Sequence, residues 1–279
     1  MLQNKLKSIS LSYLYRHALE LEKNDPKLIA LGMSGALLFE LYGREWMSKR
    51  VLTRKNLFFL TNESSNSLDE LKLQNRILTM AEGLYNLREI EGIQNVLERL
   101  KNDAEIDSVI AEIESGRFLF HRGLSFKYVT RSLKKRADFD IHIVTGSREI
   151  FRETKCKIET TAFSETSFRN SLHKAKQQLP RNCPAVILIK IPYNWAKHES
   201  GLKSVAKVFV EKADRPAGVI CWFEQWIRVD QIYTMRVITG FEEHNVKSKI
   251  QNSQIIPFLP AKPHTPGWIS FERFATGYI

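Results

Sequence analysis

Apolar residues recur with the period of an α-helix through the first hundred positions. Leucine-rich segments at residues 10–23, 25–50 and 67–92 each place their apolar side chains on one stripe. Asp25-Pro26, between the first two segments, is typical of a helix start. The pattern therefore predicts an all-helical N-terminal region over residues 1–104.

The period of the apolar positions changes after residue 105. A helix is predicted at residues 105–122, where Gly123 suits a left-handed end. The stretch AVILIKI is continuously apolar, which is typical of a strand buried on both faces. Segments with strand character are residues 126–131, 138–144, 149–158, 185–191, 217–227 and 232–241, and helices are predicted at 164–179 and 201–213. This order predicts an α/β domain over residues 105–279, with a mixed sheet flanked by helices.

Two neighbouring predicted strands carry acidic residues at alternate positions. Asp138 and Asp140 share one face of the first strand, and Glu153 and Lys155 share one face of the next. A short turn makes the two strands antiparallel neighbours, so these faces are expected to meet. Carboxylates packed together repel one another unless a cation lies between them. Mg²⁺ prefers such hard oxygen ligands and, once bound, activates water for attack on phosphate.

This Asp…Glu-x-Lys arrangement, with its helix–three strands–helix–strand order, resembles the PD-(D/E)xK nuclease superfamily, the restriction-endonuclease-like fold. The resemblance covers roughly residues 105–195. It implies a Mg²⁺- or Mn²⁺-dependent nuclease in which Asp138 or Asp140 binds the metal together with Glu153, and Lys155 positions the water or the scissile phosphate. The family's proline before the aspartate is alanine here, so both aspartates stay open. Asp140 is preferred, because the shorter strand–turn–strand places it nearer to Glu153.

Many members of that family also carry an acid on the first helix. Glu112 and Glu114 are the candidates, and at about 100° per residue they lie about 200° apart around the helix. Glu112 borders the apolar stripe, whereas Glu114 points nearly opposite to it. We therefore expect Glu112 to assist as a catalytic and metal-binding residue.

The helix after Glu-x-Lys carries polar residues on two further faces. The resemblance implies a Gln or Lys near the site, for which Lys174, Gln177 and Gln178 are available. A separate face with side chains three and four residues apart suits the phosphates of a nucleic-acid backbone. That face consists of Arg169, His173 and Lys176.

The distribution of charge favours a polyanionic partner. The chain of 279 residues carries a net charge of +11. Residues 1–104 account for +2 of this balance and residues 105–279 for +9. A basic domain gains binding free energy by neutralising phosphates and releasing counterions. Charge alone is equally compatible with a role in solubility, but together with the resemblance to the nuclease superfamily it predicts a nucleic-acid partner, with DNA as the first choice of polymer.

Several other classes of protein lose support. The three cysteines are scattered without a CxxC pair, which predicts a reducing, cytoplasmic setting. No apolar run approaches the roughly 18–20 residues that span a bilayer, and no secretory leader is evident. Gly-rich phosphate loops, GxSxG and HExxH are absent from the sequence.

The sequence therefore predicts a metal-dependent nuclease whose helical region packs on the α/β domain or forms a homodimer. The alternative is a catalytically inactive protein of the same fold that binds nucleic acid or regulates another protein.

Overall fold

The computed structural model describes residues 1–49, 67–130, 138–146, 148–180, 183–213, 216–229, 232–245 and 267–277. Its helices are α1 (Leu2–Ser8), α2 (Leu11–Leu21), α3 (Pro26–Met47), α4 (Ser67–Asn86), α5 (Ile93–Arg99), α6 (Ile106–His121), α7 (Glu165–Gln178), α8 (Glu199–Lys212) and α9 (Phe271–Ala275). Its strands are β1 (Ser125–Tyr128), β2 (Ile141–Thr145), β3 (Arg148–Cys156), β4 (Ala185–Lys190), β5 (Pro216–Val229) and β6 (Ile232–His244).

The chain divides into two compact units. Met1–Ile113 and His264–Ile279 form the helical unit, and Glu114–Pro263 form the sheet unit. The division thus lies inside α6, later in the chain than the sequence-predicted boundary at residue 104. The C-terminal segment also groups with the helices, whereas the sequence prediction assigned it to the α/β domain.

The helical unit has a leucine-rich core whose helices begin where the sequence predicts. Asp25 caps α3 by accepting hydrogen bonds from the N–H groups of Lys27 and Leu28, with Pro26 as the first helical residue. Phe271 of α9 is fully buried, and its N–H donates to the Glu82 side chain of α4 at 2.7 Å. This contact ties the C-terminal helix to the N-terminal ones.

The sheet unit contains a six-stranded sheet in the order β1-β2-β3-β4-β5-β6. β1, β2 and β3 are antiparallel, β4 runs parallel to β3 and to β5, and β6 is antiparallel to β5. The predicted α/β class and mixed sheet are confirmed. Strand β2 begins at Ile141, so Asp138 and Asp140 immediately precede the strand instead of lying within it.

Helices cover both faces of the sheet. On one face, Phe168 and Leu172 of α7 and Leu202 of α8 pack on Phe151 and Ile187 of the sheet. On the other face, α6 contributes contacts such as that of the Phe118 ring with the Trp222 ring, whose centroids are 5.1 Å apart. Because both faces are covered, Ala185–Ile189 of β4 are fully buried, as their continuous apolar run predicts.

Among the described residues, no helix has the combination of length and apolar character that crossing a bilayer requires.

Candidate active site

Glu153 and Lys155 lie on the face of β3 that α7 covers. Phe151 of the same strand packs in the core beneath α7, and alternation places Glu153 and Lys155 on the same side. The Glu153 carboxylate is buried, whereas 24% of the Lys155 side chain is exposed. The Lys155 ammonium bonds to the Glu153 Oε1 atom at 2.5 Å. The strand therefore presents an acid and an amine together, with the amine toward solvent.

The Asp140 carboxylate joins this pair. Its Oδ2 atom accepts a hydrogen bond from the Thr154 N–H at 2.7 Å, and Thr154 lies between Glu153 and Lys155. The Asp140 N–H donates to the Arg152 carbonyl at 3.1 Å, which continues the pairing of β2 with β3 beyond the end of β2. Of the two aspartates left open by the sequence, Asp140 is the one whose carboxylate bonds to the Glu-x-Lys segment.

Asp138 and Gln178 complete the group through the Lys155 ammonium. The Lys155 Nζ atom donates to the Gln178 Oε1 atom, and the Gln178 Nε2 atom donates to the Asp138 carbonyl at 3.3 Å. Gln178 thereby links the amine to the segment that precedes β2. Gln177 and Lys174 are exposed on α7, whereas Gln178 is half-buried. Of the three candidates for a Gln or Lys near the site, Gln178 is thus the one that bonds to Lys155 in the described structure.

Lys157 extends the cationic side of the site. Its Nζ atom donates to the Ser167 Oγ atom of α7 at 2.9 Å. Burial lowers the pKa of Lys157, and the nearby charge of Lys174 lowers it further. The alternation along β3 places Lys157 beside Lys155, but only the structure shows that α7 holds it there.

The structure gives Glu112 a partner that the sequence did not indicate. This residue belongs to the helical unit and is 2% exposed. Its two carboxylate oxygens each accept a hydrogen bond of 2.7 Å from the Arg99 guanidinium. Bidentate pairing with an arginine accounts for this buried acid, so we leave Glu112 out of the candidate site. The positions of apolar residues along α6 do not reveal that Glu112 bonds to an arginine on another helix.

Glu114 is also buried, contrary to the sequence expectation that it points away from the apolar stripe. Its Oε2 atom lies 3.0 Å from the Lys190 Nζ atom, which also lies 2.7 Å from the Glu224 Oε1 atom. Lys190 and Glu224 lie on the α6 side of the sheet, opposite to the face that carries Glu153. This cluster is therefore separate from the candidate site.

The pKa values of this second cluster follow from two carboxylates that share one ammonium. Burial raises the pKa of Glu114 to about 7, against the attraction of Lys190, and Glu224 adds to the rise. Burial by itself lowers the pKa of Lys190, but the two carboxylates outweigh it and raise the net value. One carboxylate of the cluster is consequently prone to carry a proton near neutral pH.

The oxygens of Asp140 and Glu153 form a donor set that suits a hard divalent cation. In the described part of the chain, no three or more His, Cys, Asp or Glu side chains are grouped so that they could hold a metal ion. Mg²⁺ does not need such a group, because it is commonly bound by one or two carboxylates, several waters and the phosphates of the substrate. The two carboxylates therefore fit Mg²⁺ or Mn²⁺ bound together with a phosphate.

The predicted phosphate-contacting residues lie on a different flank of α7. Arg169 and His173 are exposed, Lys176 is half-exposed, and all three line a groove shared with α8. Gln178 faces the opposite flank, where Lys155 lies. Of the residues predicted to contact nucleic acid, Arg169, His173 and Lys176 therefore line the groove, whereas Gln178 belongs to the candidate site.

Comparison with protein-family models, with curated proteins and with solved structures gives no match to this chain. The function is therefore argued from the geometry of the site itself.

Proposed function

We propose that this protein is a metal-dependent nuclease of the PD-(D/E)xK type that hydrolyses phosphodiester bonds of DNA. One observation carries the proposal. The Asp140 carboxylate bonds to the backbone between Glu153 and Lys155, while the Lys155 ammonium bonds to both Glu153 and Gln178. Two carboxylates can hold a divalent metal beside a phosphate, and a tethered amine can stabilise the charge that develops on it.

The order of elements supports a restriction-endonuclease-like arrangement. Helix α6 precedes β1, β2 and β3, and α7 leads to β4, which lies parallel to β3. This is the helix–three strands–helix–strand core that the sequence resemblance implies. The net charge of +9 over residues 105–279 supports a polyanionic substrate.

Each residue of the site has a distinct role in the proposal. Asp140 and Glu153 would hold Mg²⁺ or Mn²⁺, which would supply an activated water and neutralise charge on the phosphate. The Thr154 N–H orients the Asp140 carboxylate by donating to its Oδ2 atom. Gln178 would hold the Lys155 ammonium at the site while the Glu153 carboxylate binds the metal instead of Lys155. Lys155 then donates a hydrogen bond to the attacking water or to a phosphate oxygen.

The test is cleavage of supercoiled and linear DNA with Mg²⁺, with Mn²⁺ and with EDTA. We expect Asp140→Asn, Glu153→Gln and Lys155→Met each to lower the rate roughly 100-fold or more, because each removes a group that acts on the reacting phosphate. Glu149→Gln, an equivalent change at an exposed position of the same strand, is the matched control and keeps the wild-type rate. Circular dichroism and thermal unfolding verify that the variants are folded.

A rate that is the same in EDTA as in Mg²⁺, or that survives Glu153→Gln unchanged, contradicts the proposal. A contaminating nuclease is recognised in the same experiment, because its activity does not change among the purified variants.

The burial of Glu153 favours a second candidate function. Its carboxylate is ion-paired with Lys155 in the structure, and this pair neutralises the site without a metal. A nuclease-like domain in this state binds nucleic acid or regulates another protein without turnover. DNA binding that persists in EDTA, in Asp140→Asn and in Glu153→Gln, without cleavage in any metal, supports this candidate over the nuclease.

A further inference from the structure

A groove of about 580 Å³ lies between α7 and α8 on the surface of the protein. Four basic side chains line it: Arg169, His173 and Lys176 come from α7, and Lys212 comes from α8. The sequence grouped the first three on one helix face, but only the fold adds Lys212 from the facing helix. Cations from two elements therefore face one concave surface.

The floor of the groove is apolar. Val208 is 45% exposed, although a valine on an amphipathic helix is normally covered. Phe209 also lines the groove, and its ring lies 5.4 Å from the His173 ring in an edge-to-face contact. Phe209 is only 6% exposed, so the groove combines a cationic rim with an apolar floor whose solvent-exposed part is Val208.

The groove has an acidic end and a basic end. Glu165, in the first turn of α7, lines the groove near the start of the helix, whereas Lys176 lies in the last turn. Arg169 and Lys176 are seven residues apart, which corresponds to about 10 Å along the helix axis. An anionic chain is therefore attracted along the C-terminal two turns of α7 and repelled from its beginning.

Helix α7 brings the groove and the candidate site together at its last turn. At about 100° per residue, Lys176 lies about 100° to one side of Ala175 and Gln178 about 60° to the other side. Ala175 itself packs on the sheet. Lys176 faces the groove and Gln178 bonds to Lys155, so the last turn of α7 borders both the groove and the candidate site.

We propose that this groove binds an unpaired strand of nucleic acid adjoining the phosphate that the site cleaves, an inference that rests on the proposed nuclease function. An unpaired strand offers phosphates to the cationic rim and base faces to the apolar floor. A duplex keeps its bases stacked inside and presents phosphates on a convex surface, so it leaves the floor unused. The substrate class is thus a single strand, or a duplex with a single-stranded extension.

The test measures binding in EDTA, where cleavage is suppressed. Fluorescence anisotropy compares a labelled single-stranded oligonucleotide, the blunt duplex of the same sequence, a mononucleotide and an acidic peptide at several salt concentrations. We expect the single strand to bind more tightly than the other three probes. Arg169→Gln/Lys176→Gln/Lys212→Gln should weaken its binding at least about tenfold and reduce the salt slope by about 2, since each phosphate contact on a single strand contributes about 0.7.

The matched control removes three charges from the same unit outside the groove. Lys197→Gln/Lys203→Gln/Lys207→Gln lowers the net charge equally and should retain binding within about threefold. Val208→Asn, which makes an exposed position polar without changing the net charge, should weaken binding of the single strand and leave binding of the duplex unchanged. Circular dichroism verifies folding of each variant.

The outcomes separate this inference from the proposed function. If DNA is cleaved but the groove and control variants bind the single strand equally, the groove inference is wrong and the nuclease proposal stands. If the single strand binds through the groove but no metal supports cleavage, the nuclease proposal fails and the groove stands. Preference for the blunt duplex, the mononucleotide or the acidic peptide overturns the inference.

Discussion

The Lys190 ammonium lies between two buried carboxylates, those of Glu114 and Glu224. Lys190→Met keeps most of the side-chain volume but removes the ammonium to which both acids bond. We expect the free energy of unfolding to fall by about 3–5 kcal/mol, because breaking a buried ion pair leaves an uncompensated charge. Urea denaturation measures this loss.

Two further variants identify the cause. Lys203→Met changes a lysine whose side chain is 56% exposed, and should alter stability by less than about 0.5 kcal/mol. Adding Glu114→Gln and Glu224→Gln to Lys190→Met should recover much of the loss, because the unpaired charges are then gone. A triple variant as unstable as Lys190→Met shows that packing, and not charge, determines the effect.

Glu114 gives the protein a pH dependence of known sign. Burial raises its pKa from 4.5 to about 7, so the folded chain binds more protons at this residue than the unfolded chain between these two pH values. Stability from this residue is therefore present at low pH and is lost as the pH rises from about 4.5 through 7. In Glu114→Gln the loss should be absent.

Urea denaturation of wild type and Glu114→Gln at about pH 5 and pH 7.5 measures the effect as a difference. The advantage of the wild type over the variant should shrink as the pH rises. If wild type and Glu114→Gln differ in free energy of unfolding by the same amount at both pH values, Glu114 does not have a raised pKa in the folded protein.

At the residue scale, the sequence predicts those features of the site that depend only on the alternation of side chains along one strand. Glu153 and Lys155 share a face because they are two positions apart on β3. The choices between Asp138 and Asp140, and between Gln177 and Gln178, depended on contacts between different elements. The bond of Glu112 to Arg99 depends likewise on tertiary structure, since Arg99 lies on another helix.

Gly83 marks a close approach of α4 and α6 in the helical unit. A Cβ atom at this position of α4 would lie 2.5 Å from the Ile113 Cγ2 atom of α6. Gly83→Ala should therefore lower the free energy of unfolding by about 1–3 kcal/mol, because the helices must separate to relieve the overlap. Thermal or urea unfolding provides the measurement.

Gly35 is the matched control on α3. A Cβ atom there would meet nothing within 4 Å. Gly35→Ala should raise stability by about 0.5–1 kcal/mol through helix propensity alone. If both substitutions stabilise the protein, the tight contact at Gly83 is not present in solution.

At the element scale, apolar periodicity identified the helices and strands of the described ranges better than it identified their ends. The run of buried residues at β4 and the stripe on α7 are local patterns, and both elements lie where expected. Strand β2 starts later than its alternation suggests, because the residues before it bond to α7 and β3 through Gln178 and Thr154. These bonds are specified by tertiary structure.

The helical unit is assembled from both ends of the chain. Phe271 is fully buried there, and its ring centroid lies 5.7 Å from that of Tyr85 in α4. Phe271→Ala should lower the free energy of unfolding by about 3–5 kcal/mol, the usual loss for a buried aromatic ring. Hydrogen exchange should show faster exchange in α3 and α4, and little change in β3 and β4.

Phe39→Ala, at a half-exposed position of α3, is the control and should have a small effect on exchange. Equal acceleration in the helices and in the sheet after Phe271→Ala would show that the two units unfold together.

At the scale of the whole molecule, the grouping of the C-terminal helix with the N-terminal helices was not predictable from the sequence, since the bond between Phe271 and Glu82 joins residues 189 positions apart.

The order of the sheet has a consequence for how the protein is made. Each of the five strands after β1 pairs with the strand that precedes it in the sheet and in the chain. The ribosome releases the chain from its N-terminal end, so every new strand emerges beside an edge that is already assembled. No strand needs to be inserted between two others, and the polypeptide can gain its β-structure progressively during translation, with Glu153 and Lys155 of β3 meeting Asp140 before α7 emerges.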